Sequence, residues 1–201
     1  APTFTANGTV GGPYSVTGTV TGIATPATFS LTNTVGAPAT ITATGGTPQN
    51  ATITTAFASP LQATVKDSGG NPVPGVTVTF TAPTSGASGT FNGNGGLNTA
   101  AVATDASGVA APTFTADGTV GGPYTVTATV AGIETPATFS LTNTLGPGAT
   151  ITTNAGGSGS QSTIINTAFP SQLQAIVKTS GGTPVPGVTV TFATPVSGAS
   201  G

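Results

Sequence analysis

Short runs of this chain alternate apolar and small polar residues with a period of two, the pattern of a strand that buries one face. From Leu61 to Lys66, Leu61, Ala63 and Val65 share one side, while Gln62, Thr64 and Lys66 share the other. Val76, Val78 and Phe80 alternate with Thr77 and Thr79. The same reading turns Tyr124, Val126, Ala128 and Val130 inward along one later run, and Phe139 and Leu141 along the next. The abundance of Thr and Val favours sheet as well, because β-branched side chains fit a pleated surface better than a helical turn. Helix is expected to be nearly absent. The expected core is therefore Leu61, Val65, Val76, Val78, Phe80, Tyr124, Val126, Val130, Phe139 and Leu141.

Clusters of turn-forming residues separate these runs: Asp67 to Gly75, Asn92 to Gly96, Asp105 to Gly108 and Asp117 to Pro123. Their Gly residues supply positive φ and their Pro residues a fixed φ where the chain must reverse. About seven to nine short strands in roughly 100 residues, with no helical segment between them, predict an all-β chain of antiparallel two-sheet sandwiches of immunoglobulin type. The Cys pair and core Trp of antibody domains are missing, since the chain has neither residue.

The pattern repeats. Residues 1–34 return almost letter for letter as 111–144, and the segment 68–89 returns as 180–201 with an offset two residues larger. This phase predicts one complete immunoglobulin-like repeat at 38–144. It is flanked by the C-terminal part of a repeat at 1–34 and the N-terminal part of another at 148–201. The stretch 90–110 occurs once and has no counterpart in either flank. The links at 35–37 and 145–148 are short and have proline within or next to them, so neighbouring repeats should touch and form a semi-rigid rod. The chain reads as a section of a longer polypeptide, with any signal or anchor outside it. Continuation of the chain would then close each flanking repeat. An alternative is that the two partial repeats combine between consecutive segments.

Composition narrows the function. Only 3% of residues are charged, against roughly 25% in ordinary soluble domains. Two Lys and no Arg give no basic surface for a run of phosphates, so nucleic acid is not an expected partner. No apolar stretch reaches the roughly 20 residues of a membrane span, so no membrane insertion is expected in this segment. A net charge of −2 offers little repulsion between copies, which makes lateral association easy. The Thr-, Gly-, Ala- and Val-rich composition points to an extracellular or cell-surface location.

Candidate chemistry is sparse. With no His or Cys, general acid–base work would fall to Asp67, Asp105, Asp117 and Glu134, and their spacing makes no pair. Asp67 and Asp105 sit in turn motifs, where Asp ordinarily bonds to backbone amides, and Asp117 is replaced by Asn7 in the matching copy. Ser and Thr are plentiful, but no motif sets a base beside one. The chain is not expected to be an enzyme or to hold a cofactor. A Ca²⁺ site would need several carboxylates, and the links between repeats have none. An amide crosslink from Lys66 or Lys178 would need a carboxylate that the sequence does not place. Asn7-Gly-Thr9 and Asn50-Ala-Thr52 match the N-glycosylation pattern, which arises often in Thr-rich chains.

The ordered motifs GNPVPGVTVTFTAP, SGASGTF, TDASGVA, GGPYTVTATVAG and ATFSLTN resemble the group 1 bacterial immunoglobulin-like domain, a module of invasin- and intimin-type adhesins. The resemblance covers 38–144 and, piecewise, both flanks. It implies a repeated, surface-exposed sandwich acting as stalk, spacer or fibre, with binding often confined to a distal domain of another type. The scarcity of charge departs from adhesin repeats and favours a rod packed against other copies. Two functions follow as expectations. The first is a structural repeat of an extracellular bacterial filament or surface fibre, whose partners are other copies or adjacent repeats and which assembles by close packing or strand complementation. The second is the stalk or binding module of a cell-surface adhesin, in which loops such as Phe91–Gly96 meet a host or cell-surface ligand.

Overall fold

A computed structural model describes residues 3–93, 95–146, 148–153 and 159–198. Fourteen strands and no helix occur among them. In chain order they are β1 (Gly11–Gly18), β2 (Ala27–Asn33), β3 (Pro38–Gly45), β4 (Gln49–Thr52), β5 (Gln62–Asp67), β6 (Thr77–Thr81) and β7 (Gly89–Phe91). These are followed by β8 (Thr99–Ala103), β9 (Val109–Ala110), β10 (Phe114–Ala116), β11 (Gly121–Thr129), β12 (Ala137–Thr144), β13 (Thr150–Thr153) and β14 (Ala175–Lys178).

Strands β3 to β12 build one sandwich. Its larger sheet has the order β4-β12-β11-β6-β8, the facing sheet is β3-β5-β9, and β7 and β10 form a two-stranded ribbon. A single apolar cluster lies between the layers. Phe80 contacts Phe91 and Phe139 with ring centroids 6.0 and 5.9 Å apart, and Phe114 contacts Phe57 at 5.7 Å and Phe91 at 4.7 Å. Such aromatic pairs add to the area they bury.

Two features differ from the expectation of seven to nine antiparallel strands. The region 38–144 contains ten strands, among them the very short β7, β9 and β10. β3 and β4 are separated by a turn at Gly46, whose φ of +77° suits glycine and whose Cβ would collide with the Pro60 carbonyl. The second difference is that β4 pairs with β12 in parallel, Gln49 opposite Leu141 and Thr52 opposite Thr144, while the other pairings of the sandwich are antiparallel. A parallel pair between the start and the end of a repeat leaves no local signature, since no hairpin turn joins its strands.

The remaining strands make two hairpins. β1 pairs with β2 in the same register as β11 with β12: Tyr14 faces Leu31 as Tyr124 faces Leu141, and Val16 faces Phe29 as Val126 faces Phe139. β13 pairs with β14 as β3 pairs with β5, placing Ile151 opposite Val177 as Ile41 stands opposite Val65. The two hairpins thus recur in the flanking copies, whereas 189–193, the copy of β6, forms no strand.

Candidate functional site

The three aspartates accept hydrogen bonds from nearby backbone amides. Asp105 accepts hydrogen bonds from the amides of Ser107 and Val109, at 2.8 and 3.0 Å. Asp67, buried at the end of β5, accepts from Gly36 N at 2.9 Å, Gly69 N at 2.9 Å and Asn71 N at 2.8 Å, and from the Asn71 side chain. The Gly36 amide, followed by that of Asn71, holds its carboxyl below the ordinary aspartate range, and burial opposes the shift. Among the described residues no three of His, Cys, Asp and Glu come together as a metal site. No helix there is long and apolar enough to cross a membrane. Lys66 and Glu134 are exposed.

The expected inward residues are placed as follows. Leu61, Val65, Val78, Phe80, Val126, Val130, Phe139 and Leu141 are buried in the sandwich, while Val76 and Tyr124 are half-buried against it. Thr64, assigned to an outward face, is buried, with its hydroxyl 2.8 Å from that of Thr44. Phe91, the aromatic residue of the proposed adhesive loop, points into the core rather than outward. Asn94 of that loop lies outside the described residues.

One polar cluster escaped the sequence reading. Asn143, on β12, is 1% exposed, and its amide donates to Ser88 O at 2.8 Å, Asp117 Oδ1 at 2.9 Å and Thr119 O at 3.2 Å. Its own oxygen accepts from the Tyr124 hydroxyl at 2.8 Å, which also lies 3.2 Å from Ser88 O. The Asp117 amide is a third donor to Ser88 O, at 2.9 Å. This corner ties the 84–89 segment to β11, β12 and the 117–119 turn with its buried polar atoms paired, which is what makes such a network favourable. The register shift between Gly121 and Tyr124 sets the ring in place. It depends on Gly122 at φ +134°, where a Cβ would stand 2.9 Å from Leu141 O. Burial first, and then the charge of Asp117, push the Tyr124 hydroxyl well above its ordinary range, so it remains a donor. The available signal was the recurrence of Tyr14 with Asn33 and Tyr124 with Asn143 at equal spacing.

The N-terminal hairpin builds the same corner without its lid. Tyr14 OH donates to Asn33 Oδ1 at 2.9 Å, and the Asn33 amide donates to Asn7 Oδ1 at 2.9 Å and Thr9 O at 3.0 Å. Where Ser88 stands in the sandwich, an open cleft of about 280 Å³ is lined by Phe4, Asn7, Tyr14 and Asn33 among others. The apolar side chains around it are exposed: Phe4 is 65% and Phe29 57% exposed, whereas their counterparts Phe114 and Phe139 are both at 0%. The C-terminal hairpin region shows the same contrast, with Phe192 57% exposed against 0% for Phe80. Leu173 and Ile151 are exposed where Leu61 and Ile41 are buried. What these surfaces offer is an uncovered half-core on each side of a closed one.

No protein-family model and no curated relative matches the chain. Among solved structures, the chain is similar to invasin, a bacterial integrin-binding protein, at 26% identity and a TM-score of 0.41. The match covers 71% of this chain and 26% of invasin, so it spans about a quarter of that structure's length.

Proposed function

We propose that the chain is a structural section of an extracellular bacterial filament or surface fibre, built of group 1 immunoglobulin-like repeats set head to tail, with 38–144 as a whole repeat and 1–34 and 148–201 as parts of its neighbours. The observation that carries this reading is the pair of flanking hairpins. They reproduce strand pairings of the closed sandwich, and their exposed apolar residues are the counterparts of its core. An exposed apolar face of this kind marks a contact surface, and the repeat supplies its natural cover. The link before the sandwich is also fastened, since the Gly36 amide bonds to Asp67.

The three aspartates serve turns, and among the described residues no cluster of His, Cys, Asp and Glu competes with a scaffolding role. A second reading is the stalk of a cell-surface adhesin, in which one continuous polypeptide completes every repeat and a ligand is held elsewhere. The inward position of Phe91 disfavours binding through the 91–96 loop itself. Electron microscopy of the native material, paired with gel analysis after boiling in denaturant, tests both. Ordered fibres with an axial period commensurate with one repeat are expected. Isolated thin rods on cells would replace the filament by the stalk, and globular particles would overturn both readings.

A further inference from the structure

We propose that β8 is a self-pairing edge, and that the β8 strands of two copies of this chain meet antiparallel about a twofold axis at Val102 and join their larger sheets into one. The contact runs sideways from the repeat, so it goes beyond the head-to-tail reading and applies to filament and stalk alike. Among the described residues the other strand edges of the sandwich are blunted in the ways that keep sheets apart. β3 begins at Pro38 and its register slips twice against β5. β9 has two residues, and β7 and β10 have three each. β4 has four, and the side chain of Gln49 holds the Ser59 backbone beside it through bonds of 2.8 and 3.2 Å. β8 has none of these protections. Its five residues, Thr99–Ala103, include no proline and no charge and pair with β6 in one unbroken register.

The free side of β8 follows from its bound side. Asn98 O accepts from Ala82 N at 2.8 Å, and Thr104 N donates to Val76 O at 2.9 Å. Both bonds extend the β6–β8 register, in which Ala100 faces Phe80 and Val102 faces Val78. The backbone groups of an antiparallel strand turn to its two sides residue by residue. The even-numbered residues thus bond to β6, and the amides and carbonyls of Ala101 and Ala103 point outward, β8 being the last strand of its sheet. Side chains alternate across the sheet in the same rhythm: Ala100 is buried and Val102 half-buried, while Ala101 and Ala103 are exposed.

In a twofold pair centred on Val102, Ala101 stands opposite Ala103 of the second copy, and the two exchange both of their backbone hydrogen bonds. Val102 then faces its own counterpart at a non-hydrogen-bonded position, where side chains come closest, and the exposed part of each covers the other. A second copy is the occupant because a strand that meets itself sets like beside like, which a neutral strand tolerates and a charged one does not. No charged residue occurs from Ser68 to Thr104. Asp105, the first beyond them, would stand opposite Thr99 of the second copy, and its carboxylate is already engaged by the Ser107 and Val109 amides. An edge this short buries less than a stable dimer needs. Where repeats follow one another along a chain the contact is made many times over, and weak contacts then add through multivalency.

The chain has no Cys, so a single introduced thiol reports the contact. With Val102→Cys in the full chain, the two sulfurs come within disulfide reach in the proposed register, because facing residues of a non-hydrogen-bonded pair have Cα atoms about 4.5 Å apart. In oxidised glutathione this variant should form a disulfide dimer at least about tenfold faster than Leu97→Cys, exposed just before the strand, or Asn50→Cys, exposed on the opposite edge of the same sheet. Adding Ala101→Pro removes an outward amide and leaves the bonds to β6 in place, and it should lower the rate to that of the controls. Adding Ala103→Lys, which sets a charge on the exposed face of the edge, should slow the dimer as well and reads the contact even where the proline disturbs the strand. The lysine variant should keep the thermal transition of the closed sandwich. A Val102→Cys chain that stays monomeric overturns the proposal, as does dimerisation at the control rate or dimerisation that neither second substitution slows. The axial period seen by electron microscopy is independent of these results, so the edge can fail while the head-to-tail array stands.

Discussion

The hairpin β1–β2 and the hairpin β11–β12 have nearly the same sequence, the same register and the same Tyr–Asn hydrogen bond, yet one is exposed and the other lies inside a sandwich. The comparison separates what a strand pair specifies by itself from what its surroundings supply. Pairing, bulge and the Tyr–Asn contact are local and recur. Burial is supplied by the 38–89 half, and only the second copy has it within the described residues. An isolated two-stranded hairpin is marginal in water, so β1–β2 draws its stability from whatever covers it.

The sharpest way to break the comparison is to truncate the same ring in both copies. Phe139→Ala should lower the unfolding free energy of the closed sandwich by about 3–5 kcal/mol through lost burial and the cavity it leaves. Phe29→Ala should change that transition by less than about 0.5 kcal/mol. Urea denaturation followed by circular dichroism reads both, and equal effects would mean that the two hairpins share one core. A smaller contrast lies in the polar corner. Asn143→Ala leaves Tyr124 OH without its acceptor on β12 and Ser88 O short of one donor, at a cost of about 1–3 kcal/mol. Asn33→Ala acts on a partly open site and should be nearly silent by the same measurement.

The least effect sharpens the seam between the two regions. The folded chain holds Asp67 ionised below the ordinary aspartate range. Its contribution is therefore fully present above that range and is lost as pH falls through the lowered value. Asp67→Asn should flatten the acid limb of the stability profile from the ordinary aspartate range downward and leave the Asp105 turn untouched. A wild-type limb that persists in the variant would assign the acid sensitivity elsewhere. In the later repeat the corresponding residue is Thr179, whose hydroxyl accepts from Thr183 N at 3.2 Å, so that turn has no carboxylate to titrate.

How much of this was legible in the sequence follows from range. The all-β class and the strands around Leu61, Val78, Val126 and Phe139 rest on period-two alternation, which neighbouring residues carry between them. The parallel β4–β12 pair was not legible, because its strands stand about 90 residues apart with no turn to announce them. Thr64 read as outward because alternation reports one buried face, whereas a Thr–Thr hydrogen bond lets the second face be covered too. Asn143 was passed over because two of its three acceptors are backbone carbonyls, of Ser88 and Thr119, which side-chain patterns cannot reveal. Phe91 was read as part of an exposed loop because the glycines after it dominate the local composition, although its ring completes the core.

The parallel pairing of β4 with β12 also fixes how the sandwich meets a pulling force. The chain enters the sandwich through β3, which is held by β5, and leaves after β12, so once β3 has parted from β5, tension drags β4 toward its N-terminus and β12 toward its C-terminus. In a parallel pair those motions slide the strands past one another, and the bonds from Gln49–Leu141 to Thr52–Thr144 are strained together instead of opening one after another. Ile53 N to Thr144 O at 3.0 Å and Thr144 Oγ1 to Ala51 O at 3.2 Å extend the same strip. The barrier that guards the core against extension therefore lies in this sheared strip, once β3 has been drawn off.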